Sequence, residues 1–455
     1  MKNVLEWLET TVEKYPDKPA FSDTECSIIF AQVYDIARNT GAYLVEQLGV
    51  DRTPVAVFAG RKMVTPAYFL GVVYAGRPYA PIDASLPDKR IEKILENLCP
   101  RAIVADRESL EHVESIVDEL AKAEGFDRPQ IFIAEDISRF EQVACADSNC
   151  KISESAGDAV TDSENDTDGG VVAGCAGKID DSSRDMLAVV RRQMSMTDPL
   201  YIIYTSGSTG NPKGVMTSHL SLMTYINAYC DVMHIEESDV LGNQSPLDYI
   251  AAIRDIYLPL KTGCSTAIIP KEYFMEPNAL FDYMNDKKVS SVGWSVSAFT
   301  ILTSLGAFEE VGLKSLRKIC FSGSVMPCRV LRKWQENLPE AHFVNQYGPT
   351  EATASCTYYS VDHTVEEDEV LPIGKAYDNY RVFLIDEHGN EPAVGEQGEI
   401  CVCGPILALG YYNDPERTAA AFTLNPLNRA YPERMYRTGD YGRLDEDGIL
   451  HFCGR

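Results

Sequence analysis

Residues 199–214 read PLYIIYTSGSTGNPKG, an apolar run followed by a loop of glycine, serine and threonine. The apolar part, 199–204, predicts a buried strand. The glycines after it can adopt backbone conformations closed to other residues, so successive N–H groups and hydroxyls can surround an anion. Lys213 adds a positive charge beside them. The stretch predicts a phosphate-binding loop at the end of a strand, although its glycine and lysine spacing is not that of a Walker loop.

The residues around this loop alternate between helical and strand patterns. Residues 30–48 have helical spacing, and residues 55–58 and 102–105 are short apolar runs typical of buried strands. Such alternation predicts an α/β fold with largely parallel sheets. After about residue 371 the pattern changes to strands at 381–386 and 398–404 with tight-turn signals, which predicts a small antiparallel β-barrel or sheet.

With 455 residues the chain is too long for one compact core. We expect an α/β subdomain over 1–190, a second over 191–370 that carries the phosphate loop, and a β-barrel subdomain over 371–455. The first contains an acidic insertion at about 145–187, expected to be disordered. Residues 152–185 hold nine acidic and two basic residues and no aromatic one, so they bury too little apolar area to offset their ordering entropy.

The net charge of −27 argues against nucleic acid and anionic membranes as partners. The N-terminus lacks the apolar run of a signal peptide, and no apolar stretch approaches the length of a membrane span. The thirteen cysteines lack the spacing of a metal site. These features predict a cytoplasmic protein with reduced thiols and a monomeric core.

Four further motifs accompany the loop in a fixed order. They are YAGRPYAPID at 74–83, NQYGPTE at 345–351, a segment from Gly398 to Tyr411, and YRTGD at 436–440. Together the five resemble the motifs of the adenylate-forming superfamily, which includes acyl-CoA synthetases, luciferases and the adenylation domains of non-ribosomal peptide synthetases. They are most similar to the amino-acid-activating branch and its D-alanine–carrier protein ligases, over nearly the whole chain. The resemblance implies the fold of the N-terminal domain of these enzymes.

The resemblance also implies the reaction, which is activation of a carboxylic acid as acyl-AMP with ATP and Mg²⁺. Lys213, Thr350 and Glu351 would be catalytic, and Glu351 would bind the metal. Tyr347 would stack on adenine and Asp440 would hold the ribose hydroxyls. The other implied nucleotide contacts are Thr205, Ser206, Gly207, Ser208, Thr209, Gly210, Ser322, Gly323, Ser324, Asn345, Gln346, Gly348 and Arg455.

Two of these contacts have a structural alternative, because Asn345 and Ser324 could simply cap turns. His219, at the start of a predicted helix, is interpreted as structural or close to phosphate rather than as a general base.

The same resemblance places an acid pocket, in which Ile250 stands where amino-acid-activating relatives have an aspartate for the ammonium group. Asp248 could replace that aspartate if the backbone shifts. Arg254 would pair either with a distal acidic or polar group of the substrate or with a local carboxylate such as Asp248 or Asp255. The rest of the implied lining is Ala251, Trp294, Cys320, Ser322, Gln346, Ala354 and Ser355.

The expected partners are a small carboxylic acid and a carrier protein with a phosphopantetheine arm. The alternatives are an acyl- or aryl-CoA ligase and a non-catalytic nucleotide-binding homologue. In relatives a mobile C-terminal domain with a catalytic lysine follows the position of Arg455. Without such a domain we expect this chain to adenylate weakly and not to transfer to a thiol.

Overall fold

The structure, a computed structural model, describes residues 2–139, 181–206 and 211–455. Thirteen α-helices lie in these ranges: α1 Leu5–Lys14, α2 Phe30–Leu48, α3 Thr65–Tyr74, α4 Asp88–Leu98, α5 Leu110–Leu120, α6 Ala134–Ser138, α7 Asp181–Gln193, α8 His219–Met233, α9 Ile253–Thr262, α10 Pro277–Asp286, α11 Val296–Ser304, α12 Cys328–Asn337 and α13 Pro415–Ala421. Three short 3₁₀ helices are Ile250–Ala252, Lys271–Met275 and Thr350–Ala352.

The strands of the same ranges are β1 Pro19–Ser22, β2 Ser27–Ile29, β3 Val55–Phe58, β4 Tyr79–Ile82, β5 Ala102–Ala105, β6 Gln130–Ile133, β7 Pro199–Ser206, β8 Pro212–Ser218, β9 Val240–Asn243, β10 Ser265–Ile268, β11 Ser291–Ser295, β12 Lys318–Ser322, β13 His342–Tyr347, β14 Thr357–Val361, β15 Lys375–Ala376, β16 Arg381–Ile385, β17 Gln397–Cys403, β18 Gly410–Tyr411, β19 Phe422–Leu424, β20 Arg434–Leu444 and β21 Leu450–Gly454.

The first sheet has seven strands in the order β18-β8-β7-β4-β3-β5-β6. The strands from β7 to β6 pair in parallel, and β8 and β18 close one side in antiparallel fashion. Strands β3, β4 and β5 are buried along their whole length. This continuous burial explains their unbroken apolar sequence, because helices cover both faces of such a sheet.

The second sheet has nine strands in the order β15-β14-β13-β12-β11-β9-β10-β1-β2. Its six central strands pair in parallel, while β2, β14 and β15 are antiparallel at the two edges. The third sheet is a curled antiparallel one, built from β16, β17, β20 and β19 with β21 on β20. The predicted α/β class with a small antiparallel element is therefore confirmed.

The membership of the sheets differs from the predicted subdomain bounds of 1–190, 191–370 and 371–455. Strands β1 and β2, near the N-terminus, belong to the second sheet, and β7 and β8, after residue 191, belong to the first. The third sheet begins at Arg381, because β15 still pairs with β14. Local patterns predict each strand, but the pairing of distant segments decides which sheet receives it.

The acidic insertion expected at 145–187 is also shorter than predicted at its C-terminal end. Residues 181–187 belong to α7, and Leu187 and Val190 of this helix pack in the main hydrophobic core. The count of charged residues, taken over 152–185, does not include these two apolar positions. The rest of the predicted insertion, 145–180, lies outside the described residues.

Three strands end at residues that the sequence predicts for the functional site. Strand β7 of the first sheet ends at Ser206, and β12 and β13 of the second sheet end at Ser322 and Tyr347. The ends of β7 and β13 carry two of the glycine-containing motifs found in the sequence, and the end of β12 carries the predicted nucleotide contacts Ser322, Gly323 and Ser324. Ligands of α/β proteins bind beyond the carboxyl ends of parallel strands, which makes this edge the place to look for a site. Separately, none of the described helices is long and apolar enough to cross a bilayer.

Candidate functional site

Lys213 and Glu351 meet where the two large sheets face each other. Lys213 lies near the start of β8, directly opposite Thr205 in the β7–β8 ladder. Its Nζ is 2.5 Å from Glu351 Oε1, and the hydroxyl of Tyr411 donates to the same oxygen at 2.6 Å. The phosphate-loop lysine, the predicted metal ligand and the last residue of the 398–411 motif therefore form one polar cluster.

The carboxylate of Glu351 is only 3% exposed. Burial by itself would raise its pKa, but the ammonium group of Lys213 and the hydrogen bonds from Lys213 and Tyr411 hold the pKa below its ordinary value. Glu351 is thus a buried carboxylate that is ionised at neutral pH, and the hydrogen bonds it accepts from both partners use the same oxygen.

The backbone around Glu351 is tightly constrained. Thr353 and Ala354 have φ values of 47° and 74°, a left-handed region that residues with a side chain rarely adopt. The hydroxyl of Thr353 donates to the carbonyl of Ile406 at 2.7 Å and anchors this turn. A Cβ at Gly348 would lie 2.5 Å from the Cα of Ser355, so only glycine fits where the chain doubles back.

Tyr347 and Asp440 join the second sheet to the third. The Tyr347 hydroxyl donates to Asp440 Oδ2 at 2.7 Å, from the end of β13 to the middle of β20. Burial, with Asp440 adding to it, raises the pKa of Tyr347, so the phenol stays a neutral donor. Arg455 places Nε 3.6 Å from Asp440 Oδ1 while its side chain remains 79% exposed. These three predicted nucleotide contacts lie together.

Other predicted nucleotide contacts are more dispersed. The side-chain amide of Asn345 donates to the backbone carbonyl of Pro372 at 2.8 Å, so one of its N–H groups is used in a contact within the protein. Ser322 ends β12 partly buried, Gly323 follows with φ of 95°, and Ser324 is exposed. Thr350 begins the 3₁₀ helix that carries Glu351.

The described part of the phosphate loop is its base. The Thr205 hydroxyl is buried and has no hydrogen-bond partner among the described residues. Ser206 is described only as the last backbone position of β7. Gly207, Ser208, Thr209 and Gly210 lie outside the described residues, so the loop itself remains a prediction.

The predicted acid pocket contains a buried polar cluster around Arg254. Its Nη1 lies 3.7 Å from Cys320 Sγ, and the Cys320 thiol donates to Gln346 Oε1 at 3.2 Å. The Ser355 hydroxyl donates to the same amide oxygen at 3.4 Å. The amide of Gln346 in turn donates to the hydroxyl of Tyr377 at 2.6 Å. Arg254, Cys320, Gln346 and Ser355 are therefore brought together as predicted neighbours.

Three tyrosines complete this cluster and were missed by sequence reasoning. Tyr225 and Tyr229 face it from α8, and Tyr377 faces it from the segment after β15. The guanidinium of Arg254 lies 5.6 Å from the centroid of the Tyr229 ring. The spacing of Tyr225 and Tyr229 by four residues on an apolar helix was the available signal, but it is equally typical of core packing.

Other predicted pocket residues lie apart from Arg254. Trp294 packs against Phe274, Phe299 and Trp334 in an aromatic core. Its neighbour Gly293 faces the guanidinium, and successive strand residues point to opposite faces, so Trp294 points away.

Asp248 lines a different cavity of about 820 Å³, which also includes Asp83 and Arg61. Burial, followed by the nearby charge of Asp83, raises the pKa of Asp248. Ile250 is buried and Ala251 is half-buried in the 3₁₀ helix before α9, and Ala354 occupies the strained turn after Glu351. The backbone shift that would bring Asp248 beside Ile250 is not present.

Neither Asp248 nor Asp255 forms an ion pair with Arg254. The carboxylate of Asp255 accepts a hydrogen bond from the amide of Asn243 at 2.8 Å, and Asn243 Oδ1 accepts from Arg61. Asp255 thus belongs to a neighbouring network. Asp255 attracts the guanidinium of Arg254 without contacting it, so the predicted pairing with a local carboxylate is present only as a longer-range attraction.

A pre-formed metal cage is also absent from the described ranges, where no group of three or more His, Cys, Asp and Glu side chains could hold an ion. His219 is buried at the start of α8, and its Nδ1 has no partner within the described chain. Burial, with Arg191 adding to it, lowers the pKa of His219 to about 3. A histidine that stays neutral in this way suits a structural position.

Comparison with known proteins shows which proteins this chain resembles. The family model described as "AMP-binding enzyme" matches residues 8–412. The D-alanine–D-alanyl carrier protein ligase of Bacillus cereus (strain Q1) is 28% identical over 454 residues, which cover 99% of this chain and 78% of that protein. The Bacillus anthracis protein of the same name is 29% identical over the same shares.

Solved structures agree on the fold. The N-terminal subdomain of Klebsiella oxytoca NpsA, in complex with 3-hydroxybenzoyl-AMSN, superposes with a TM-score of 0.75 at 19% identity and full coverage of both chains. The AMPPNP-bound form of the non-ribosomal peptide synthetase FmoA3 superposes with a TM-score of 0.79 at 23% identity. All of this chain is covered in that comparison, but it spans only 42% of the FmoA3 chain. The chain therefore belongs to the AMP-binding enzyme family and is an adenylate-forming ligase similar to the D-alanine–D-alanyl carrier protein ligases.

Proposed function

We propose that this chain binds ATP and Mg²⁺ where its three sheets meet, and activates a small carboxylic acid as acyl-AMP for a carrier-protein phosphopantetheine thiol. The observation that carries the proposal is the contact between Lys213, on β8 of the first sheet, and Glu351, on the 3₁₀ helix that follows β13 of the second sheet, 138 residues apart in the sequence. This buried ion pair brings an ammonium group and a carboxylate to one point, which supports phosphate binding by Lys213 and Mg²⁺ binding by Glu351.

The chain's own residues would act by positioning and by neutralising charge. The acid's carboxylate oxygen would attack the α-phosphorus, and the bond from that phosphorus to the bridging oxygen would break, releasing pyrophosphate. Lys213 would exchange Glu351 for phosphate oxygens, and Thr350 would contact the α-phosphate. Tyr347 and Asp440, already hydrogen-bonded to each other, would hold the adenine and ribose.

Glu351 suits Mg²⁺ as a single carboxylate ligand. Mg²⁺ usually keeps several waters and takes one or two carboxylates together with substrate phosphates. One ionised and buried carboxylate at the edge of a phosphate loop fits that requirement, whereas a complete protein cage is not needed. When bound, the ion would neutralise charge on the phosphate oxygens.

Substitution of Asp440 tests the nucleotide site directly. We expect Asp440→Ala to weaken ATP binding on the order of tenfold or more, because the ribose hydroxyls lose a charged acceptor. Isothermal titration calorimetry with ATP, with and without Mg²⁺, measures this. In the same assay Glu351→Gln should remove most of the Mg²⁺ dependence.

Asp386→Ala, in an exposed turn of the third sheet, is the matched control and should bind ATP as the wild type does. Unchanged ATP affinity in Asp440→Ala would contradict the ribose role.

An acyl- or aryl-CoA ligase is a second candidate, favoured by the lack of an acidic partner for an ammonium group around Arg254. Because this chain is expected to adenylate weakly and not to transfer to a thiol, the test uses the chain extended past Arg455 by a domain that carries the catalytic lysine. Loading of a phosphopantetheinylated carrier protein can then be compared with loading of free CoA after adenylate formation. Transfer to CoA alone would favour the CoA ligase. ATP binding without pyrophosphate exchange for every acid tested would favour a non-catalytic homologue.

A further inference from the structure

The guanidinium of Arg254 is a buried cation without a carboxylate partner. The residue is 1% exposed, and its protein contacts are the carbonyl of Gly293, the sulfur of Cys320 and the ring of Tyr229. Within the described chain no carboxylate comes within 4.0 Å of it. A buried and unpaired charge costs several kcal/mol, so a protein seldom keeps one without use.

Two polar atoms in the same place also lack a well-formed hydrogen bond. Arg254 Nε and the Tyr225 hydroxyl are both buried, and neither makes a hydrogen bond of good geometry among the described residues, although Arg254 and Ser355 both lie close to the Tyr225 hydroxyl. More than nine-tenths of buried polar groups in native proteins are hydrogen-bonded. A ligand oxygen that accepts from both groups would satisfy both donors at once.

The neighbouring thiol and phenol do not supply the missing negative charge. Burial raises the pKa of Cys320, although the guanidinium acts in the opposite direction. Burial likewise raises the pKa of Tyr225 to about 12 despite the same cation. Both groups are therefore neutral at physiological pH. The carboxylate of Asp255 is hydrogen-bonded to Asn243, lies more than 4.0 Å from the guanidinium and attracts it only at this longer range.

The cluster lies beside the proposed site of acid activation. Gln346, which bonds Cys320, is the strand neighbour of Tyr347, and Ser355 follows the turn that carries Glu351. An acid whose carboxylate reaches the α-phosphate near Thr350 and Glu351 would extend its other end toward this cluster. Ile250, buried in the 3₁₀ helix that precedes α9, brings no charge to this region.

From these observations we propose that Arg254 is the receptor for a second anionic group, so that the activated substrate is a dicarboxylic acid. This inference rests on the proposed function. The distal carboxylate would accept from the guanidinium and from the Tyr225 hydroxyl, and the activated carboxylate would form the acyl-AMP. A guanidinium suits this task because its fork matches a carboxylate with two parallel hydrogen bonds.

Stable adenylate analogues test the proposal without requiring turnover. Acyl-sulfamoyl adenosines can be made from succinic, glutaric and adipic acids with a free distal carboxylate, and each matched to the isosteric distal carboxamide. We expect the best-fitting carboxylate compound to bind the wild-type chain on the order of tenfold to a hundredfold more tightly than its carboxamide twin in calorimetry.

Variants assign this preference to one side chain. Arg254→Met should abolish the preference for the carboxylate, and Arg254→Lys should keep part of it, because the charge remains but the fork is lost. Arg38→Met is the matched control, since it removes a guanidinium that also lies over a tyrosine ring, on α2. It should keep the full preference.

The possible outcomes separate the inference from the proposed function. Equal binding of carboxylate and carboxamide compounds to the wild type would overturn the dicarboxylic assignment alone, even if Arg254→Met failed to fold. A preference that survives in folded Arg254→Met would overturn the role of Arg254. Failure of every analogue and of ATP itself to bind would instead count against the proposed function.

Discussion

At the scale of single residues, the site depends on charges that the fold keeps out of water. Glu351 tolerates burial because Lys213 and Tyr411 both satisfy one of its oxygens. Arg254 is buried without a carboxylate in direct contact, and Asp255 attracts its guanidinium only from beyond 4.0 Å. Glu351 is thus paired by direct contacts within the protein and Arg254 is not, and because an unpaired buried charge is costly, this difference supports the proposal that Arg254 binds a substrate anion.

His219 provides a prediction about acid stability. Its pKa is about 3 in the folded chain against 6.5 ordinarily, so between these values the unfolded chain binds the extra proton and acid favours unfolding. We expect the stability advantage of the wild type over His219→Gln to shrink by about 2 kcal/mol from pH 7 to pH 5. Urea unfolding at both pH values measures it.

The control is His388→Gln, whose side chain is 74% exposed and which should show little of this change. A constant difference between wild type and His219→Gln across the two pH values would mean that folding does not lower the pKa of His219.

At the scale of elements, helices α2 and α3 approach each other through glycine. A Cβ on Gly71 would lie 2.5 Å from Cβ of Thr40, and one on Gly41 would lie 2.5 Å from Cβ of Tyr74. Real Cβ atoms do not come so close, so the absence of a side chain at both positions permits the contact. Helix α3 packs on β3 and β4 of the first sheet, and α2 contacts β1 and β2 of the second.

We expect Gly71→Ala to destabilise the chain by about 2 kcal/mol, because overpacking outweighs the gain in helix propensity. Chemical denaturation measures the change. Gly312→Ala is the matched control, since nothing lies within 4 Å of its added Cβ, and it should change stability by less than about 0.5 kcal/mol. Equal effects of the two substitutions would contradict the close approach.

At the scale of the whole molecule, the net charge of −27 opposes compactness through self-repulsion. Raising NaCl from about 10 to about 150 mM shortens the Debye length from roughly 30 to roughly 8 Å. We therefore expect the thermal midpoint to rise with salt at pH 7.5. The rise should become smaller as the pH approaches the sequence pI of 4.6, where the net charge vanishes. A midpoint that falls with salt at pH 7.5 would show that attractive ion pairs dominate.

The amino-acid sequence alone determined the elements and the family of this protein. Apolar runs such as residues 55–58 and 199–204 become buried strands because burial on both faces selects continuous apolar residues. The ordered motifs identified an adenylate-forming enzyme, because its glycines and polar residues are needed at set places along the chain. The same motifs predict Lys213, Glu351, Tyr347 and Asp440 as site residues without knowledge of their contacts.

Only the tertiary structure decided which distant residues became partners. Three features depend on long-range packing. Strands β1 and β2 join the second sheet, and Trp294 points away from Arg254 into an aromatic core. Tyr225 and Tyr377 lie around the guanidinium of Arg254. Sequence periodicity reports which face of an element is apolar, but not which element will cover it. For the same reason only the folded arrangement decided that neither Asp248 nor Asp255 contacts Arg254 directly.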